Sequence, residues 1–215
     1  MLLIRNALFF LSLLSYCPGL SSAATTDIKP SCIELLTSQE MTNAEGAKML
    51  TEHDVIKLLN LQPLPGEGGF FTETYRSSIK VKVDSDSGQM IERNAGTAIF
   101  YLVTPESFSS LHRLKYDEVF HFYKGEPVEM LLIYPDSAHE LITLGSDILA
   151  GQKMQVVVPA GVWQGTRLKG DHGWALLGTT MGISFEFSDF ELGKRATLVP
   201  HFPLIEEFII RYTKE

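Results

Sequence analysis

From residue 70 to residue 181 the chain is written in short runs whose apolar side chains recur at every second position. The runs cover residues 70–83, 97–104, 107–114, 118–123, 128–134, 140–144, 155–158, 162–168 and 174–181. Turn chemistry separates them: DSDSG at 84–88, KGEP at 124–127 and KGDHG at 169–173 supply the glycines and acidic residues that tight connections use. A period of two puts one face of each strand in a core and the other towards solvent. Many such strands, at about 8 to 12 residue spacing, predict two facing antiparallel sheets, a sandwich or jelly roll from about residue 68 to 200.

Helical signals flank this β region. Thr51 with Asp54 three residues on reads as a capping box, and Val55, Ile56, Leu58, Leu59 and Leu61 give one apolar face, predicting a helix near 52–60 that Pro63 and Pro65 end. Pro203 opens a second amphipathic stretch to about residue 213, with Leu204, Ile205, Phe208, Ile209 and Tyr212 spaced to dock on the barrel.

A chain of 215 residues with 45% apolar content fits one globular domain, here 51–215. The first 23 residues stand apart. Arg5 is followed by the apolar run ALFFLSLL at 7–14, which is too short to span a bilayer, and Ser21-Ser22-Ala23 offers small residues for cleavage. A signal peptide at 1–23 and secretion, or passage into a secretory-pathway lumen, are expected, with no stable membrane insertion after its removal. Residues 24–50 read as a polar extension. Removal of Cys17 with the peptide leaves Cys32 as the sole cysteine, so no internal disulfide is expected. The net charge of −8, falling to −9 without Arg5, comes with no long Lys/Arg cluster, which argues against nucleic-acid binding by counterion release.

Two segments concentrate the chemistry. The first is SSLHRLKYDEVFHFYKG at 109–125, where strand alternation across a turn places His112, Leu114, Glu118, Phe120 and Phe122 on one face and Val119, His121 and Tyr123 on the other. The second is GQKMQVVVPAGVWQG at 151–165, where Pro159 and Gly161 make a tight turn just before Trp163 and Gln164. Together they resemble the two motifs of the cupin superfamily. In that resemblance His112 stands at the first histidine of the metal set, Leu114 at the second, Glu118 at the glutamate and Gln164 at the last histidine. Two of the four ligands are thus replaced, which implies no metal and no other cofactor. The blocks GEGGFFTETYRS, GTAIFYLV, HRLKYDEVFHFYKGEPVEMLLI, VVVPAGVWQGTRL and FEFSDFELG further resemble one branch, the cupin type 5 family of unknown function, over about residues 54 to 212. Leu64 departs from it where that family usually carries a histidine. The implied fold is all-β, a double-stranded β-helix with a short helix before the barrel and a C-terminal helix outside it.

An imidazole and a carboxylate in one apolar cavity perturb each other's proton affinity, which makes His112 and Glu118 the expected centre of the site. Phe71 and Glu73 alternate along the first strand and Arg76 lies near its end; with Phe120 they are expected to contact a ligand. Gln164, facing inward, can both donate to and accept from a hydroxyl or carbonyl, while Trp163, also counted as a ligand contact, packs outward or at the rim. Asp171-His172 reads as part of a turn.

Two functions follow from the cupin resemblance. One is a metal-independent epimerase or isomerase acting on a carbohydrate-like or carbonyl-containing ligand, with His112 as base and Tyr75 or Tyr101 as acid. The other is a non-catalytic small-ligand-binding or storage-like protein. A cavity plugged by Leu114, Phe120 and Phe122 favours the second. A homodimer is expected in either case, since open sheet edges invite covering.

Overall fold

The computed structural model of the protein describes residues 50–85 and 88–214, so the expected signal segment and the extension up to residue 49 lie outside the described residues. In chain order the elements are helix α1 (Glu52–Leu58), strands β1 (Gln62–Pro63), β2 (Phe70–Arg76), β3 (Lys80–Asp84), β4 (Met90–Asn94), β5 (Thr97–Val103), β6 (Ser109–Leu114), β7 (Glu118–Gly125), β8 (Val128–Ile133), β9 (His139–Leu144), β10 (Gln155–Val158), β11 (Trp163–Leu168), β12 (Ala175–Met181) and β13 (Phe190–Leu192), then α2 (Arg195–His201) and α3 (Glu206–Arg211). One sheet runs β1-β2-β5-β12-β7-β10, a second runs β13-β6-β11-β8-β9, and β3 and β4 form a separate two-stranded ribbon. Every ladder in the two main sheets is antiparallel.

Consecutive strands from β5 to β8 alternate between the sheets, which is the jelly-roll path. Their inward faces make one core, with Tyr101 and Leu177 from the first sheet packed towards Met130 and Leu132 of the second. The outer face of the second sheet is also covered. Leu131 and Ile133 of β8 point away from the barrel onto Ile205, Ile209 and Tyr212 of the C-terminal segment. Because both faces of β8 are buried, VEMLLI is a near-continuous apolar run rather than an alternating one. Full burial of a leucine or isoleucine contributes about 1.5–3 kcal/mol, so this second cluster holds the helices firmly in place.

Helix α1 starts as its sequence predicts. Asp54 N–H donates to Thr51 Oγ1 at 3.2 Å and Thr51 N–H donates to Asp54 Oδ2 at 3.1 Å, closing the box. The helix is two residues shorter than expected, ending at Leu58, and the chain turns through Asn60 at φ 52° before either proline is reached. It buries Val55 against Leu102 on the outside of the first sheet.

Several elements differ from the sequence reading. The run 70–83 is two strands, because Ser77 N–H pairs with Gly96 O and the Ser77 hydroxyl accepts from Ile79 N–H, turning the chain out of the sheet. Strand β4 is unforeseen: none of its residues is fully buried, and Ile91 is half-buried in a mostly polar strand, so it carries no strong apolar alternation. The C-terminal stretch is not one helix from 203. A 3-10 turn at Pro203–Ile205 precedes α3, Leu204 points to solvent at 97% exposure, and α2 stands before them with Pro200 in its last turn.

Candidate functional site

The two motif turns are fastened to each other at one end of the barrel. Ala160 N–H donates to Asp117 Oδ1 at 2.8 Å and Gly161 N–H donates to Leu114 O at 2.8 Å, so the Pro159 turn sits on the β6–β7 corner. At the other end of β7, Gly125 adopts φ +104°, and any Cβ there would stand 2.1 Å from Trp174 O. Only glycine closes that strand. Between these anchors His112 and Leu114 of β6 and Glu118 and Phe120 of β7 face inward.

They line a cavity of about 240 Å³, closed below by the core and shared with Phe71, Tyr101 and Thr179. The aromatic side chains therefore leave space rather than plug it. His112 is 2% exposed, its Nδ1–H donates to Ser110 O at 2.8 Å, and its ring stacks on Phe190 with centroids 5.3 Å apart. That bond leaves Nε2 as the ring nitrogen available to a ligand. Strand β11 pairs Gln164 directly with His112, and Gln164 Nε2 donates to Glu118 Oε2 at 2.7 Å. Gln164 Oε1 is buried and has no hydrogen-bond partner among the described residues.

The sequence reading missed Glu67. It is 7% exposed and receives the Tyr101 hydroxyl on Oε1 at 2.9 Å and the Ser109 hydroxyl on the same oxygen at 2.7 Å, with His112 Nδ1 at 3.9 Å. The signal available was an acidic residue set between glycines in LPGEGG, in a stretch with no strand period to bury it. Burial pushes the Glu118 carboxyl above its ordinary 4.5; His112 pulls it down, Glu67 pushes it further up, and the Thr179 and Gln164 hydrogen bonds pull it down. Burial likewise pushes the Tyr101 phenol well above 10.0, with the Glu67 charge adding to it.

The rim is charged. Arg76 holds Glu73 through Nε and Nη2, at 3.0 and 2.8 Å, and Glu186 through Nη1 at 3.0 Å. Arg76 therefore spends its donors on two carboxylates. Two expected site residues lie elsewhere. A bulge between Glu73 and Tyr75 inserts Thr74, so Glu73 pairs with Ile99 and Tyr75 with Ala98. The extra residue reverses the facing of everything after it: Tyr75 turns out, 57% exposed, and Arg76 turns to the cavity. Trp163 is also a correction. It packs under the C-terminal helices in the cluster with Leu198 and Ile205, with the Arg113 guanidinium 4.7 Å above its ring. His121 lies on the outer face, stacked on Tyr123 and bonded to Thr180 and Gln155. Among the described residues no group of three or more His, Cys, Asp or Glu side chains has the geometry to hold a metal ion.

Residues 53–193 match the family described as Cupin superfamily (DUF985). The uncharacterized protein YML079W of Saccharomyces cerevisiae is 31% identical over 133 residues, which cover 57% of this chain and 66% of that protein, just under two thirds of its length. Among solved structures, a hypothetical protein from Leishmania major is 31% identical with a TM-score of 0.70, covering 77% of this chain and all of that one. Protein SO0799 from Shewanella oneidensis is 29% identical with a TM-score of 0.69, over 77% of this chain and 99% of the other.

Proposed function

Because the chain belongs to the cupin superfamily family DUF985, we propose that its barrel cavity takes a small carbohydrate-like or carbonyl-containing ligand and moves a proton on it without a metal, as an isomerase or epimerase does. One observation carries this reading. A buried carboxyl with raised proton affinity, Glu118, shares the cavity wall with a histidine whose Nδ1 is tied to Ser110 O. Burial favours the protonated carboxyl, which can donate to a ligand, and an imidazole with one nitrogen occupied can accept a proton at the other.

For an aldose-to-ketose step the balance is as follows. His112 Nε2 takes the proton from the carbon beside the carbonyl, the released pair forms an enediol double bond, and the carbonyl oxygen takes the Glu118 proton. His112 then returns its proton to the former carbonyl carbon while Glu118 recovers one from the neighbouring hydroxyl, restoring both side chains. Tyr101 fits the acid role less well than Glu118, since its hydroxyl proton lies between Glu67 Oε1 and Gly68 O, at 2.9 and 2.8 Å. That same commitment favours the alternative, a binding protein without turnover.

Trioses to hexoses incubated with the protein in deuterium oxide separate the two. Deuterium entering at the carbon beside the carbonyl, and lost in His112→Ala, supports proton transfer. Retention of a ligand with no exchange leaves the binding protein. The proposal extends to the assembly and the compartment: the apolar run at 7–14 supports secretion, and edge strand β10, with Val157 56% exposed, supports a homodimer. Sedimentation as a monomer at tens of micromolar would count against the latter.

A further inference from the structure

The charges around the cavity do not balance. Four carboxyl groups line it, Glu67 and Glu118 within and Glu73 and Glu186 at the rim, against Arg76 and His112. Arg76 is held by both Glu73 and Glu186, and Glu186 also has Arg93 Nη1 at 3.9 Å, so the rim guanidinium that reaches the cavity is already committed to carboxylates. Inside, Glu67 is held by hydroxyl donors of Tyr101 and Ser109, and Glu118 by the Gln164 amide, so neither has a cationic side chain in direct hydrogen-bond contact. An anionic ligand would enter against this field and would have to displace one of the rim carboxylates to reach Arg76.

The remaining wall is largely apolar, with Leu64, Ile99, Leu114 and Met181 beside four phenylalanines. Phe71, Phe120, Phe185 and Phe187 line the same space. Carboxylates combined with aromatic rings are the surroundings in which an organic cation is stabilised, by charge pairing and by the ring quadrupole together. The cavity size, about 240 Å³, sits below the range usual for drug-sized ligands and sets the scale of the molecule.

We propose that the ligand of this cavity carries a cationic ammonium group on a small, partly apolar body, with the ammonium drawn to Glu67 and the body against the phenylalanines. This rests on the reading of the cavity as the ligand site. It deepens that reading by excluding phosphorylated and carboxylated sugars and admitting amino sugars and alkyl amines.

Two matched trios test it by saturation-transfer NMR at a slightly acid pH: glucosamine, glucose and glucuronate, and benzylamine, benzyl alcohol and benzoate. Each trio is expected to rank cation above neutral above anion, with the cation favoured over the anion by at least about tenfold, a difference of about 1.4 kcal/mol. Glu67→Gln keeps the shape and should reduce the benzylamine preference by about tenfold. Where that variant fails to fold, Glu186→Gln at the exposed rim should reduce it by about threefold. Equal binding of all three sugars keeps the carbohydrate reading and overturns the ammonium assignment. Binding of benzylamine with no sugar bound does the reverse. Benzylamine binding that is undiminished in the variants, or no binding of either cation, also overturns the assignment.

Discussion

The Tyr101 hydroxyl, on the central strand of the six-stranded sheet, donates to Glu67 Oε1 at 2.9 Å. The bond joins a strand residue that period-two patterning places inside to a turn residue that no pattern places anywhere. It also fixes what Tyr101 does, since a phenol held this way positions Glu67 and is the weaker proton donor to a ligand.

Tyr101→Phe removes the donor to Glu67 and to Gly68 O while Ser109 still serves Glu67. The expected loss is about 1–3 kcal/mol, the range for leaving a buried polar group short of a partner. Urea midpoints measure it, and an unchanged midpoint would refute the positioning role.

Glu118 is held above its ordinary 4.5 chiefly by burial. Between that value and its folded one, the native state keeps a proton that the unfolded chain has lost, so this residue's contribution is complete at lower pH and falls as pH rises through the window. Glu118→Gln cannot titrate. Its melting temperature should therefore exceed that of the wild type at neutral pH, with the gap closing towards pH 4.5. A gap that is constant with pH would show that Glu118 does not bind its proton more tightly in the folded state.

At Gly69 the backbone adopts φ +70°, and an added Cβ would lie 2.6 Å from the Tyr101 ring and hydroxyl. Gly69→Ala costs about 1–2 kcal/mol for the left-handed backbone and about 1–3 kcal/mol more for the clash. Because the clash falls on Tyr101, the variant should also disturb Glu67 and weaken ligand retention. Wild-type retention alongside a lowered melting temperature would separate Tyr101 from the site.

Elemental analysis of gently purified protein should find no stoichiometric divalent metal. Leu114 offers no donor, and the Gln164 amide is turned to Glu118 at 2.7 Å, which leaves His112 and Glu118 without the further ligands a tight site requires. One tightly held zinc, iron or manganese ion per chain would overturn this, with His121 and His139 the next residues to test.

The inward placement of His112, Leu114, Glu118 and Phe120 was legible because alternation is a local rule and the intervening turn at Lys115–Asp117 is short. Strand β13 was not legible: three residues count as a strand only through pairing of Phe190 with Leu114 and Leu192 with His112. Gln164 was legible as an inward residue, but not as one whose amide is taken by Glu118.

What the sequence determined by itself is the antiparallel jelly roll and the facing of the β6–β7 pair, since side-chain period and turn chemistry act over a few residues and carry their own consequence. The tertiary structure alone decided the rest of the site. The Thr74 bulge exchanges Tyr75 for Arg76, and its position depends on how β2 meets β5. Trp163 is claimed by helices more than 30 residues downstream in the chain. Glu67 is buried because Tyr101 and Ser109, from two different sheets, converge on its carboxylate. A one-residue shift in register or a hydrogen bond across the barrel changes which atoms face the ligand, and neither leaves a periodic trace in the chain.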